Sequence, residues 1–385
     1  MTNVDELVGN VDAFPVLKNW NYLNHAGISP LPRCVADAMR RSVDAFEGHA
    51  YLGGVDFRDV AQVRRSIAQL IGADPVEVAF QKNTGEAIST IAFGLDWNKG
   101  DRIVTAASEY PANIYPWMEL SQRHGVELVT IAERDQSDGS RAVSVDELLA
   151  AVAHPRCRML ALSHVQSPSG QRMPMEALGA FCRARGKMFC VDAIQSLGGL
   201  PVDVTRMNID FLACGSQKWL LGPMGTGFVF IRRELMRQVR PLAVGAYSVV
   251  DPDNYGDINY TLQPDNRRHE CGTPALATMM GMGAAAELLY SAGADAVEKR
   301  IRLLTDRLAN GLRAKGYRVI SPRDEQSWSG IVAFLPPGDA DLQSIYRMLR
   351  EQHKIELMVR ENRLRAAPHF YNTEAQMDQL LNALD

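Results

Sequence analysis

The chain has 385 residues, 46% hydrophobic and 22% charged, with a net charge of −4. It is long enough for a large core and two domains, and its composition is that of a water-soluble globular protein. The acidic balance attracts neither nucleic acid nor an anionic membrane, no apolar run is long enough to cross a bilayer, and the first ten residues are too polar for a secretory leader, so a cytoplasmic location is expected. Cys34, Cys157, Cys182, Cys190, Cys214 and Cys271 are scattered without a CxxC pair or metal-ligand spacing, which predicts reduced, buried thiols and no metal site.

In chain order, hydrophobic periodicity predicts helices over residues 34–48 and 56–72, the second with Val60, Val63, Ile67 and Leu70 on one face. Short apolar strands are predicted at Arg102–Ala106, at residues 126–131 and 159–163, and at Met188–Asp192, Phe211–Gly215 and Gly227–Ile231. Helical stretches at residues 115–124, 145–152 and 175–185 lie between most of them. The strands are apolar runs without clean alternation, as a sheet covered on both faces requires, so a mostly parallel α/β domain is expected. From about Leu262 the character changes. A small-residue helix over 275–292 and a charged helix over 296–315 precede strand signals at 317–320, 330–334 and 356–359, framed by helices over 342–352 and 374–384. This predicts a large domain over 15–265 and a smaller α+β domain made of 1–14 and 266–385.

Four stretches at strand ends carry chemistry, where α/β sheets place ligands. The apolar strand Phe211–Gly215 runs into Ser216, Gln217 and Lys218, then Trp219. A lysine among apolar residues is either surface decoration or an amine kept neutral for covalent use, as in Schiff-base lysines. Asp192 ends the strand 26 residues earlier. It either caps a following helix or pairs with a pyridinium nitrogen, which keeps such a ring an electron sink; Gln195 then suits the ring's phenolic oxygen. Asn83-Thr84-Gly85-Glu86 reads as a helix start with Thr84 as N-cap, whose amides either are simply capped or bind an anion. Ser108-Glu109-Tyr110-Pro111 offers an aromatic ring for stacking, or a plain turn.

In order and spacing these stretches resemble the class V aminotransferase superfamily of fold-type I pyridoxal 5′-phosphate (PLP) enzymes, which includes cysteine desulfurases, isopenicillin N epimerase-like and kynureninase-like proteins. The resemblance runs from about Tyr22 to the C-terminus and is most specific from Val191-Asp192-Ala-Ile-Gln195 to Ser216-Gln217-Lys218-Trp219. It implies a seven-stranded, mostly parallel sheet plus a smaller α+β domain. It implies that Lys218 carries PLP as a Schiff base and moves protons at the substrate's Cα, with Asp192 on the pyridine nitrogen and Gln195 on the phenolic oxygen. Thr84, Gly85, Ser216 and Gln217 are implied at the phosphate, and Tyr110 at the ring face, where relatives often have histidine. Thr273 is implied to reach the phosphate of a second subunit, hence a homodimer. Arg365 is implied to clamp the substrate carboxylate, and His25 and Ala26 to line the substrate side.

The departures bear on the reaction. Gln217 stands where many relatives have histidine, and Ser167 where desulfurases have asparagine. The segment before Arg365 has no cysteine, whereas desulfurases carry a persulfide-forming cysteine on a loop there, so persulfide transfer is disfavoured. Cys271, beside Thr273, is read as a small buried residue. Arg363 lies two residues from Arg365 in a strand-like stretch, so both face one side; it either is solvated or meets an acid, or reads a second anionic group on the substrate. Among reactions at an amino-acid substrate, transamination is expected first, a C–S or other β-lyase second and epimerisation third. A DNA-binding regulator lacks its helix-turn-helix and basic patch here, and a dinucleotide enzyme its GxGxxG turn.

Overall fold

The structure, a computed structural model, describes residues 3–50, 52, 57–254, 256 and 258–384. Seven strands form the central sheet: Val78–Gln81 (β1), Arg102–Ala106 (β2), Glu127–Ile131 (β3), Cys157–Ser163 (β4), Met188–Asp192 (β5), Phe211–Gly215 (β6) and Gly227–Ile231 (β7). Their order is β1-β7-β6-β5-β4-β2-β3, with β7 antiparallel to both neighbours and the other pairings parallel. Because β7 reverses direction between β6 and β1, those two point the same way. The C-terminal ends of β1, β2, β4, β5 and β6 therefore meet at one edge of the sheet, which is where a ligand binds in such folds. β6 and β7 are buried along their whole length, which explains their unbroken apolar sequences.

Helices Arg33–His49 (α1), Phe57–Leu70 (α2), Thr84–Gly94 (α3), Tyr115–His124 (α4), Val145–Val152 (α5) and Met175–Ala184 (α6) belong to the same unit. Val60, Val63 and Ile67 are buried as the periodicity of α2 predicts. Leu276–Ala292 (α7) packs on α1 and α2, and its Met282, Ala286 and Leu289 share one core with Val63 and Ile67. That core also takes in Val297 and Ile301 of Ala294–Ala314 (α8) and Trp328, Ile331, Ala367, Phe370 and Tyr371 from the C-terminal part of the chain. A second core holds Leu304, Leu308 and Leu312 of α8 with Leu349, Leu364 and Leu380, joined by Leu23. It covers a four-stranded antiparallel sheet of Arg318–Val319 (β8), Val332–Leu335 (β9), Met358–Arg360 (β10) and Arg363–Ala366 (β11), ordered β8-β9-β11-β10. Among the described residues no helix is long and apolar enough to cross a membrane.

β10 and β11 form a hairpin closed by Glu361 and Asn362, with φ of +47° and +58° between the paired Arg360 and Arg363. Two central residues with positive φ make the tight turn that matches strand twist. The connection between Arg360 and Arg363 is thus only two residues long and carries no cysteine. Cys157, Cys182, Cys190 and Cys214 are buried free thiols, as expected, whereas Cys34 and Cys271 are exposed. The burial expected for Cys271 fails because it lies in an irregular segment on the rim of a cavity rather than in an element that packs.

Candidate active site

Lys218 leaves the end of β6 in a turn of high local constraint. The Leu221 N–H donates to the Lys218 carbonyl at 2.9 Å and the Gly222 N–H to the Ser216 carbonyl at 2.8 Å, with Leu221 in the left-handed region at φ +59°. Trp219 anchors this turn. Its ring leaves no room for a side chain at Gly330, where an added Cβ would lie 2.2 Å from the indole. Its indole N–H donates to Gln195 Oε1 at 3.0 Å, and its carbonyl accepts from His369 Nε2 at 3.0 Å.

The Lys218 ammonium lies 5.2 Å from the centre of the Tyr110 ring, and the Arg360 guanidinium 5.6 Å from the same ring. Burial lowers the Lys218 amine to about 8; Asp192 opposes the shift, and Arg365 and Arg360 add to it. Asp192 is buried at the end of β5, where its Oδ1 accepts the Ile194 N–H at 2.9 Å. Burial pushes its carboxyl up to about 7 against that bond, and Glu109 adds to the rise. The capping bond expected of Asp192 uses only one of its oxygens. A neutral amine reacts with an aldehyde and an ammonium does not, so the shift has a direct consequence. Capture of PLP by the apo-protein should accelerate with rising pH and level off above about 8, where a solvated lysine would keep gaining to about 10.4. Stopped-flow absorbance across that range checks it.

The helix α3 starts beside this turn. Asn83, not Thr84, is its N-cap: Asn83 is extended and accepts the Glu86 N–H at 2.9 Å, because its longer side chain reaches the third amide. Thr84 is the first helical residue, and its hydroxyl accepts the Gly215 N–H at 2.9 Å, tying α3 to β6. The Thr84 and Gly85 amides stand in the first turn of α3, where no preceding helical carbonyl is available to accept from them. Gln217 Oε1 is buried with no hydrogen-bond partner among the described residues, and a Cβ on Gly215 would lie 2.6 Å from it and 3.3 Å from Thr84 Oγ1. Ser216 differs from its expected place at the phosphate: its hydroxyl bonds to the Pro223 carbonyl and to Thr226 Oγ1, closing the turn before β7.

On the opposite side the side chains form a continuous network. Arg365 is buried and donates from Nη1 to the Ser167 carbonyl and hydroxyl, both at 3.0 Å, while its Nε has no partner among the described residues. Gln195 Nε2 donates to Ser167 Oγ at 3.2 Å and to the Ala26 carbonyl at 3.0 Å. The indole N–H only donates and the carbonyl only accepts, so the amide orientation is fixed and both its N–H groups are engaged. Arg363 is buried with Nη2 3.4 Å from Glu133 and Nη1 unpartnered among the described residues, so it meets an acid. Ala26 is buried and reaches the site through its carbonyl. His25 is fully buried between Ala367, whose carbonyl accepts Nδ1–H at 2.8 Å, and Tyr371, whose hydroxyl donates to Nε2 at 2.7 Å. Burial holds that imidazole neutral, and both nitrogens are engaged, so His25 joins the two chain ends rather than offering a free nitrogen to substrate. Tyr371→Phe should cost about 1–3 kcal/mol in urea unfolding, because it leaves a buried nitrogen unpaired. Thr273 is exposed on the rim of a cavity of about 960 Å³ lined by Arg64, Thr226, Tyr247, His269 and Glu270.

The model of the aminotransferase class-V family matches residues 21–380. The chain belongs to that family. It is 33% identical to the isopenicillin N epimerase of Streptomyces clavuligerus over 94% of each protein. Its fold matches the apo cysteine desulfurase of Thermococcus onnurineus NA1 with a TM-score of 0.88 and 25% identity, covering 99% of this chain and 97% of that one. It also matches the cystine C–S lyase C-DES, in complex with its reaction product cysteine persulfide, with a TM-score of 0.87 and 25% identity over 96% of this chain and 98% of that one.

This class V enzyme depends on PLP. The residues fit it: Thr84 at the start of α3 and the Gln217 amide, whose NH2 end can donate to a phosphate, meet at the end of β6, the buried Asp192 carboxyl ends β5 beside it, and an amine of lowered basicity lies 5.2 Å from the centre of an aromatic ring. Two participants escaped the sequence reading, Glu109 and the Ser167 bridge. Glu109 sits inside the quoted Tyr110 stretch, but nothing in the sequence marks it as buried.

Proposed function

We propose that the enzyme is a lyase that breaks a Cβ–sulfur bond of an amino acid held by Arg365. The supporting observation is the two-residue Glu361–Asn362 turn, free of thiol, in a chain whose relatives include cysteine desulfurases and a cystine C–S lyase. Without a nucleophilic thiol to receive sulfur, the sulfur leaves with its own substituent. The transamination expected first from sequence has less support than this.

In this reading Thr84, Gly85 and Gln217 hold the phosphate, Asp192 holds a proton at the ring nitrogen, and Tyr110 covers a ring face. Bound there, the cofactor supplies an electron sink for charge developing at Cα. Arg365, Ser167 and Gln195 orient the carboxylate so that the Cα–H bond faces Lys218. The neutral Lys218 amine takes the Cα proton, the Cβ–S bond breaks, and sulfur departs with the bonding electrons. The remaining three carbons hydrolyse to pyruvate and ammonia. Arg363 belongs to this proposal as a second cation for a substrate with another anionic group, its unpartnered Nη1 being the support. A homodimer with Thr273 at the neighbour's phosphate belongs to it too, and sedimentation measures that.

Epimerisation is the second reading, favoured by the 33% identical relative. The enzyme loaded with PLP should release pyruvate, ammonia and a sulfur product from cystine or cysteine conjugates. Accumulation of D-amino acid instead indicates epimerisation. The aminated cofactor with a keto acid indicates transamination, and either result overturns the lyase.

A further inference from the structure

Glu109 is a buried carboxylate whose hydrogen bonds among the described residues all come from uncharged groups. Its Oε1 accepts the Ser163 N–H at 2.6 Å and the Gln166 Nε2–H at 2.7 Å. Its Oε2 accepts the Ser163 hydroxyl and the Asn113 Nδ2–H at 3.0 Å. Asn113 cannot be turned around, because its Oδ1 accepts the indole N–H of Trp117, a group that only donates. The Ser163 amide likewise only donates. A fixed N–H donor meets each oxygen, which favours the carboxylate over the carboxylic acid. Burial pushes the group upward while those four bonds favour the anion. Ser163, which supplies two of them, pairs in register with Asp192 on the adjoining strand.

We propose that Glu109 is a permanently ionised positioning residue behind Asp192, whose charge keeps a proton between Asp192 and the ring nitrogen of the cofactor. This rests on the reading that Asp192 faces that nitrogen. A single carboxylate opposite Lys218 would ionise fully and pair with the ammonium. A second fixed negative charge on the neighbouring strand makes the first a better proton acceptor. The other titratable groups around the pair are Lys218 and Cys214 at the β6 end, Cys190 on β5 and His164 beside Ser163. Burial pushes both thiols well up and lowers the His164 imidazole to about 3, so Lys218 alone shares the working range of Asp192. Arg365 and Arg360 reach this group through Lys218.

The test has two readouts besides activity. In the apo-protein, pH-difference infrared spectra follow the Asp192 carboxyl, assigned with Asp192→Asn. In the loaded enzyme, the shift of a nitrogen-15-labelled ring reports its protonation. Glu109→Gln should move both midpoints down by on the order of one pH unit, whereas Ser163→Ala, which keeps the charge and loses one hydroxyl, should leave them in place. Equal shifts in the two variants, or none in Glu109→Gln, overturn the proposal. If Glu109→Gln does not fold, the native apo-protein decides: Asp192 must take up its proton at higher pH than Glu109, and the reverse order refutes the idea. A ring signal unmoved by Asp192→Asn instead refutes the contact between Asp192 and the ring, a separate failure.

Discussion

Lys218→Ala is expected to lower kcat by about a thousandfold or more while leaving the unfolding midpoint within a degree or so of the parent. The amine is the one lysine placed over Tyr110 and opposed to Asp192, and its lowered basicity suits both covalent capture and proton transfer at Cα. The side chain is not part of the core: Trp219, Leu220 and Leu221 carry the packing of that turn. If Lys218 is the proposed covalent anchor, its loss also releases the hold on the cofactor, so colour should wash out on dialysis. A variant retaining more than about a hundredth of parental kcat would contradict the role given to Lys218.

Arg365→Ala is expected to lower kcat/KM by about 30-fold to several thousandfold, the range of about 2–5 kcal/mol found when a buried charge partner is truncated. Arg365 is held at Ser167 by Nη1, and its Nε remains without a partner, which leaves donors for a carboxylate. Burial lowers its basicity to about 10, still cationic at neutral pH, so it meets a substrate anion as a charged donor. Arg365→Lys should recover little, because an ammonium lacks the planar fork that fixes a carboxylate. Steady-state kinetics with an amine and with the matching amino acid separate the cases. The loss should vanish for the amine, which has no carboxylate. Equal losses for both would make Arg365 a structural residue.

Much of this architecture is legible in the sequence because buried parallel strands leave a plain mark. Arg102–Ala106, Met188–Asp192, Phe211–Gly215 and Gly227–Ile231 are mainly apolar runs, and their bounds match the structure. Val78–Gln81 gave no such mark from its four residues and was hidden by the helix that starts three residues later. Lys218 and Asp192 could be singled out because one follows a strand and the other ends one at the same sheet edge, where side chains converge. Residues whose role depends on a distant partner were not readable. His25 looked like a substrate-side group, yet Ala367 and Tyr371 engage both its nitrogens from the other end of the chain. For Arg363 the sequence offered an acid as one alternative, but not that the acid is Glu133, from another hairpin. Nor was it readable that α7 packs on α1 and α2, or that Trp328, Ile331, Phe370 and Tyr371 join the same core from far along the chain, since composition alone assigns none of them a partner.

The most direct test of the central claim, that this enzyme works through PLP bound covalently at Lys218, is reductive trapping. The purified protein is loaded with PLP, treated with borohydride, digested and analysed by mass spectrometry. A phosphopyridoxyl group on Lys218, in the peptide containing Ser216 and Trp219, is the expected result. A protein that stays colourless with PLP, or a label spread over surface lysines with Lys218 unmodified, would contradict it.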